Sequence, residues 1–271
     1  MANADPIISI DQVCFGYTAT PVLNTVSTGL ESGKLTAIVG PNAAGKTTLM
    51  KLVLGLLQPW SGKIEIEGRP VGSLTPKERA RRMSYVPQRP GVRFAFTVRQ
   101  VIAMGANGHS RREVSRRVDQ AIEQAGLGDV ADRAMVELSG GQQQRVLLAR
   151  AEVQSSFAGQ AMLLDEPGSH LDLHHRHGMM QRLRSLAEGG LAVLVVLHEL
   201  DLAVRYADEA WLLDAGRLVA AGPWDQVLTP EVLQPVYNLS LERIARGGSR
   251  PLLAVADATI DVSVADSGPV D

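Results

Sequence analysis

Apolar and polar positions alternate over residues 7–15, and compact apolar runs follow at 35–39, 63–66 and 83–87. Such runs, bounded by short turns, predict strands, with one helix over 46–57. From about residue 91 to 151 the texture becomes helical, at 98–104, 111–125 and 142–153, with Gly126-Leu127-Gly128 interrupting it. Strand texture returns at 161–164, 191–197, 210–213 and 217–221, interleaved with helices at 173–187 and 200–207. This alternation predicts an α/β fold with a mostly parallel, buried sheet and an inserted α-helical subdomain. The boundaries expected are a core of 1–90 and 157–240, a helical subdomain of 91–156, and a short, weakly patterned C-terminal tail of 241–271.

Composition narrows the function. With 271 residues, 45% of them hydrophobic, the chain can bury a large core. The balance of 27 basic and 29 acidic residues gives a net charge of −2, so no cationic footprint announces a nucleic-acid partner. The apolar run 191–197 is too short to span a bilayer, and the polar start Met1-Ala2-Asn3-Ala4-Asp5 is no signal peptide, so the chain itself reads as soluble. A lone cysteine, Cys14, indicates a reducing compartment and reads as a small core residue.

Three segments carry chemistry. Gly40-Pro41-Asn42-Ala43-Ala44-Gly45-Lys46-Thr47 lies between a predicted strand and a predicted helix, the context a P-loop requires. Its glycines let consecutive N–H groups converge on phosphates at the positive end of the helix. Lys46 would neutralise phosphate charge, Thr47 would offer a hydroxyl to Mg²⁺, and Thr48 would add a donor. Ala43 stands where glycine is commoner, so phosphate binding is expected to survive if that residue is not left-handed. The run 161–164 delivers Asp165 and Glu166 at a strand end: Asp165 would hold Mg²⁺, and Glu166 would polarise the water attacking the γ-phosphate. A plain acidic turn closed by Pro167 is the other reading. Leu138-Ser139-Gly140-Gly141-Gln142-Gln143-Gln144-Arg145 supplies a second glycine turn at a helix start.

These strings, in this order, resemble the ATP-binding subunits of ABC transporters over roughly residues 7 to 237. The resemblance implies a P-loop NTPase of ABC type with an N-terminal antiparallel β part, using ATP and Mg²⁺. Residue by residue, it implies that Tyr17 stacks on adenine, that Gln88 senses Mg²⁺ and the attacking water, and that His198 is the switch histidine reaching the γ-phosphate. Ser139, Gly140, Gly141 and Gln142 would meet the γ-phosphate of ATP held by a second copy's P-loop, giving a head-to-tail dimer. Ser169-His170-Leu171-Asp172 resembles the loop through which the copies touch. Two departures stand out: Gly168 where threonine is common, and Glu199 where aspartate is often found. The implied partners are a membrane-spanning permease, received near residues 87–104, and a substrate-binding protein, with the chain peripheral at the cytoplasmic face of the cell membrane. An ordinary subdomain surface is an equal reading of 87–104. The cargo expected is an iron chelate, siderophores first, with haem or cobalamin as alternatives; a soluble ABC ATPase or a non-catalytic binder are the competing classes.

Overall fold

A computed structural model describes residues 5–88, 95–106, 110–169, 171–247 and 249–256. From the N-terminus the elements are β1 (Ile8–Phe15), β2 (Leu23–Leu30), β3 (Leu35–Val39), α1 (Lys46–Val53), β4 (Ser61–Ile66), β5 (Arg69–Pro70), α2 (Pro76–Arg82) and β6 (Met83–Val86). A helical stretch follows, α3 (Val98–Ala103), α4 (Arg111–Gln124) and α5 (Gly140–Ala158). Alternation then resumes with β7 (Ala161–Asp165), α6 (Leu173–Glu188), β8 (Ala192–Val196), α7 (Leu200–Tyr206), β9 (Glu209–Asp214) and β10 (Arg217–Pro223). The chain closes with α8 (Trp224–Val227), α9 (Pro230–Tyr237), β11 (Leu241–Arg246) and β12 (Ser249–Val255).

The strands form an antiparallel sheet in the order β2-β1-β4-β5, a six-stranded sheet in the order β10-β9-β3-β8-β7-β6, and the hairpin β11-β12. Strands β9, β3, β8, β7 and β6 are mutually parallel, and β10 is antiparallel on β9. Period-two alternation sorts the central strands between two cores. Leu35, Ala37, Val39, Met162, Leu164, Val193 and Val195 join the helices, while Ile38, Leu163, Leu194, Val196 and Trp211 face α1 and the antiparallel sheet. Both faces are therefore covered, which is why these strands read as continuous apolar runs.

Helix starts are set by side chains. Thr75 with Glu78, Thr97 with Gln100 and Ser139 with Gln142 each close a capping box at the head of α2, α3 and α5. Helix α5 then lies along the edge strand β6 and reads its outward carbonyls two residues apart. Gln154 donates to Met83 O at 3.1 Å, Arg150 to Tyr85 O at 3.0 Å and Gln144 to Pro87 O at 3.4 Å. These bonds satisfy an edge that would otherwise be open.

Several elements depart from the expectation. Helix α1 ends at Val53, followed by Gly55 at φ 66°, rather than continuing to residue 57. Strand β2 and helix α2 were not foreseen, because β2 is rich in Asn, Thr and Ser and α2 buries none of its residues. The expected unpatterned tail carries the hairpin β11-β12, docked on α7 through Leu253 N donating to Asp201 Oδ1 at 3.3 Å. Cys14 is partly exposed rather than buried, beside a register shift in β1, and its sulfur accepts the Thr25 amide at 3.1 Å.

Leu183 of α6 is fully buried in the helix-side core. Leu183→Ala should cost about 2–5 kcal/mol, read as a clear fall in melting temperature; an unchanged melt would contradict this placement of α6.

Candidate functional site

Four adjacent parallel strands, β3, β8, β7 and β6, end on one side of the large sheet. The residues just beyond those ends are Gly40, His198, Glu166 and Gln88. Open α/β sheets bind ligands at this carboxyl edge because the turns there present backbone N–H groups and short side chains together.

Between β3 and α1 the turn has the geometry of a phosphate cradle. Gly40 sits at φ 146°, and a Cβ there would lie 2.0 Å from Leu213 O. Gly45, at φ 99°, heads α1, and a Cβ there would lie 2.6 Å from Leu23 Cδ2. Only glycine fits either position. Ala43, contrary to the condition under which binding was expected to survive, is left-handed at φ 63°. The loop nevertheless holds its turn, with Ala44 N donating to Pro41 O at 3.3 Å and Gly216 N to Ala44 O at 3.2 Å. The flanking structure thus imposes a backbone conformation that costs a Cβ-bearing residue about 1–2 kcal/mol.

Lys46 is buried, and its ammonium donates to Gly40 O at 2.7 Å and Pro41 O at 2.8 Å. Burial pulls its pKa down, opposed by the nearby Glu166 and Asp165 carboxylates. Thr47 Oγ1 donates to Asp165 Oδ1 at 3.2 Å. Asp165 is itself buried, and desolvation raises its pKa; the Thr47 hydroxyl opposes that rise and the Glu166 charge adds to it. Glu166 is left-handed at φ 48°, which turns its side chain away from that of Asp165 although the two are neighbours in sequence. Its two oxygens are held from different strands: Gln88 Nε2 donates to Oε2, and His198 Nε2 lies 2.5 Å from Oε1.

Tyr17 stands at the rim. It is 57% exposed, meets Phe15 edge-on with centroids 5.1 Å apart, and its hydroxyl is 3.4 Å from Thr48 Oγ1. A flat face is thus open beside the loop rather than packed in a strand core. Tyr237 of α9 lies beneath the loop; burial pushes its phenol up to about 12, against a hydrogen bond with the Gly40 backbone. Sequence reading missed Tyr237, since nothing in the pattern marked α9.

The glycine turn at the head of α5 lies elsewhere. Ser139 Oγ accepts Gln142 N at 3.3 Å and Gln142 Oε1 accepts Ser139 N at 3.0 Å, leaving the amides of Gly140 and Gly141 in the first turn. With Arg145, Asp172 and His175 these residues line an open concavity of about 500 Å³. His175, also missed, is fixed by the Asp172 cap of α6, its Nδ1 lying 2.9 Å from that carboxylate. Among the described residues no hydrogen bond or ion pair joins this concavity to Lys46, Thr47, Asp165 or Glu166. The structure therefore gathers Gly40, Lys46, Thr47, Gln88, Asp165, Glu166 and His198 into one cluster and keeps Ser139, Gly140, Gly141 and Gln142 in another. His170 and residues 89–94 of the expected permease-receiving segment lie outside the described residues.

These groups fit a nucleotide and Mg²⁺. Gly40 and Gly45 leave no room for a Cβ, Lys46 supplies the cation, and Thr47 and Asp165 offer hard oxygen donors side by side. Among the described residues no group of three or more His, Cys, Asp or Glu could enclose a metal. No described helix is long and apolar enough to cross a membrane.

Two substitutions test the loop. Gly40→Ala should abolish ATP binding, measured by nucleotide titration, because its methyl would overlap the Leu213 carbonyl. Ala43→Gly should leave the melting temperature unchanged or slightly raised, since relief of about 1–2 kcal/mol of strain offsets the roughly 0.5–1 kcal/mol that glycine flexibility costs; a marked drop would show that no strain resides there.

Comparison with known proteins agrees with this geometry. Residues 23–169 match the family model described as ABC transporter. The hemin import ATP-binding protein HmuV of Bradyrhizobium diazoefficiens is 40% identical over 224 residues, covering 80% of this chain and 83% of that protein. Its namesake from Rhizobium meliloti is 39% identical over 247 residues, covering 88% and 94%. Among solved structures, a metal-chelate type ABC transporter in an inward-facing conformation aligns with a TM-score of 0.78 at 26% identity, covering 94% of this chain and 99% of that one. The fold, the cradle and these similarities together place the chain in the family of ABC transporter ATP-binding subunits, ATPases that bind and hydrolyse ATP.

Proposed function

We propose that this chain energises import of an iron chelate, with haem the favoured cargo, through a membrane-spanning permease. The observation that carries the reading is the cluster at the sheet edge, where Lys46, Thr47, Asp165, Glu166, Gln88 and His198 converge from four strand ends. Haem is favoured over the siderophores first expected because the relatives from Bradyrhizobium diazoefficiens and Rhizobium meliloti are named for hemin import. Siderophores remain the second reading, supported by the likeness to a metal-chelate type transporter.

In this proposal the γ-phosphate displaces the backbone carbonyls from Lys46, and the first-turn amides of α1 take the remaining phosphate oxygens. Thr47 and Asp165 would hold Mg²⁺ and Gln88 would sense it; the ion would supply neutralisation of the phosphate charge. Glu166 orients and polarises the attacking water, and its fixed position between Gln88 and His198 sets the approach to phosphorus. His198 links that carboxylate to the γ-phosphate. Tyr17 offers its exposed face to adenine, with Pro41, Asn42, Ala43 and Ala44 forming the arch of the loop and Thr48 its far side. Ser139, Gly140, Gly141 and Gln142 complete the triphosphate pocket of a second copy, so two ATP molecules are enclosed between two chains. Closing and opening of that dimer drives the permease, which a substrate-binding protein supplies with cargo, and the chain works at the cytoplasmic face of the membrane.

Glu166→Gln should bind Mg-ATP normally, accumulate as a dimer by size-exclusion chromatography, and lose turnover by roughly 10²–10⁴-fold, the range for a removed general base; undiminished hydrolysis would overturn the assignment. For cargo, the reconstituted system should show ATPase stimulation and vesicle uptake with haem. Stimulation by a ferric siderophore alone would displace haem as cargo.

A further inference from the structure

Two departures from the family pattern, Gly168 and Glu199, meet at one side chain. Arg176, in the first turns of α6, places Nη1 2.5 Å from Glu199 Oε1 and donates from Nη2 to Leu171 O at 3.0 Å. Its stem runs across Gly168, where an added Cβ would lie 3.2 Å from Arg176 Cγ, 3.5 Å from Cδ and 3.6 Å from Nε. The Arg176 Nε atom is buried there without a hydrogen-bond partner. Leu171 N in turn donates to Gly168 O at 3.1 Å, so the turn preceding α6 is closed on both sides of the arginine. Glu199 is the residue directly after His198, whose Nε2 contacts Glu166.

We propose that Arg176 is a positioning residue for ATP hydrolysis: it ties the turn of Gly168 and Leu171 to Glu199 and thereby sets the position of His198 against Glu166. Glycine at 168 leaves the space in which the arginine stem lies. Glutamate at 199 supplies the carboxylate that meets the guanidinium. The two departures are thus one compensated change rather than two loose ones. The pair is worth little as a salt bridge, since the Arg176 and Glu199 side chains are 24% and 48% exposed. Its effect is geometric: a planar fork with one arm on a backbone carbonyl and one on a carboxylate fixes both partners in direction.

The inference rests on the proposed roles of Glu166 and His198 and of the preceding turn as a contact with the second copy. Under those roles, pressure from the second copy on this turn moves the arginine, and the arginine moves the backbone at His198.

The test is a mutant cycle on the full-length chain, with kcat and KM for Mg-ATP and the melting temperature read for each variant. Arg176→Ala, Glu199→Gln and Gly168→Val should each lower kcat about five- to tenfold with KM and melting temperature nearly unchanged. Arg176→Ala combined with Glu199→Gln should be no slower than the slower single variant. Gly168→Val should have no effect once Arg176 is alanine, because the side chain it crowds is gone. Multiplying effects, or an equal Gly168→Val penalty with and without Arg176, would overturn the proposal, as would unchanged kcat in Arg176→Ala. If Arg176→Ala does not fold, Arg176→Lys, which keeps the stem and charge but loses the fork, enters the same cycle with Glu199→Gln. Controls with Glu166→Gln and His198→Ala separate the two levels. Normal turnover in both controls defeats the site reading itself; lost turnover there with an inert Arg176 set defeats only the coupling.

Discussion

Everything polar in the phosphate site hangs on the register of four buried parallel strands. β3, β8, β7 and β6 are neighbours, paired over Leu35↔Val193, Ala161↔Ala192 and Met83↔Ala161, so their ends reach the same height. Because each is covered on both faces, a one-residue slip would drive every side chain into the wrong core. The apolar packing therefore fixes the spacing of the cradle, the acidic pair, Gln88 and His198 more firmly than any contact among those groups. Bonds within the cluster are few, and they serve mainly to aim what the strands already deliver.

Aim is achieved by local strain as well as by hydrogen bonds. Ala43 and Glu166 are both left-handed, one in the cradle and one at the end of β7. At Glu166 the turn separates two carboxylates that follow one another in sequence, giving one to Thr47 and the other to Gln88 and His198. The free energy stored in such backbone is supplied by the surrounding core, and the polar residues inherit distinct roles from it.

Much of this was legible in the sequence because buried parallel strands and glycine-rich phosphate turns leave strong local marks. Leu35–Val39 appeared as an apolar run, and Gly40 and Gly45 marked the cradle because the backbone there admits no Cβ. What stayed hidden lacked such marks. Helix α2 buries none of its residues and shows no apolar stripe, and β2 alternates with small polar residues. Tyr237 gained its place from tertiary packing across the sequence, beside Gly40, whereas His175 is set locally by the Asp172 cap three residues before it. The handedness of Ala43 and the shared contact of Gly168 and Glu199 with Arg176 likewise depend on atoms brought together only by folding.

Under the proposed function, one chain holds two half-sites, and the enzyme is complete only when two copies pair. Mixing two defective forms tests this directly: Lys46→Ala spoils the cradle, and Ser139→Ala with Gly141→Asp spoils the opposing glycine turn. In a mixed dimer one pocket combines the intact cradle of one chain with the intact turn of the other, so hydrolysis by the mixture should rise well above the sum of the separate proteins and depend on total concentration. Activity equal to that sum at every concentration would contradict a shared site.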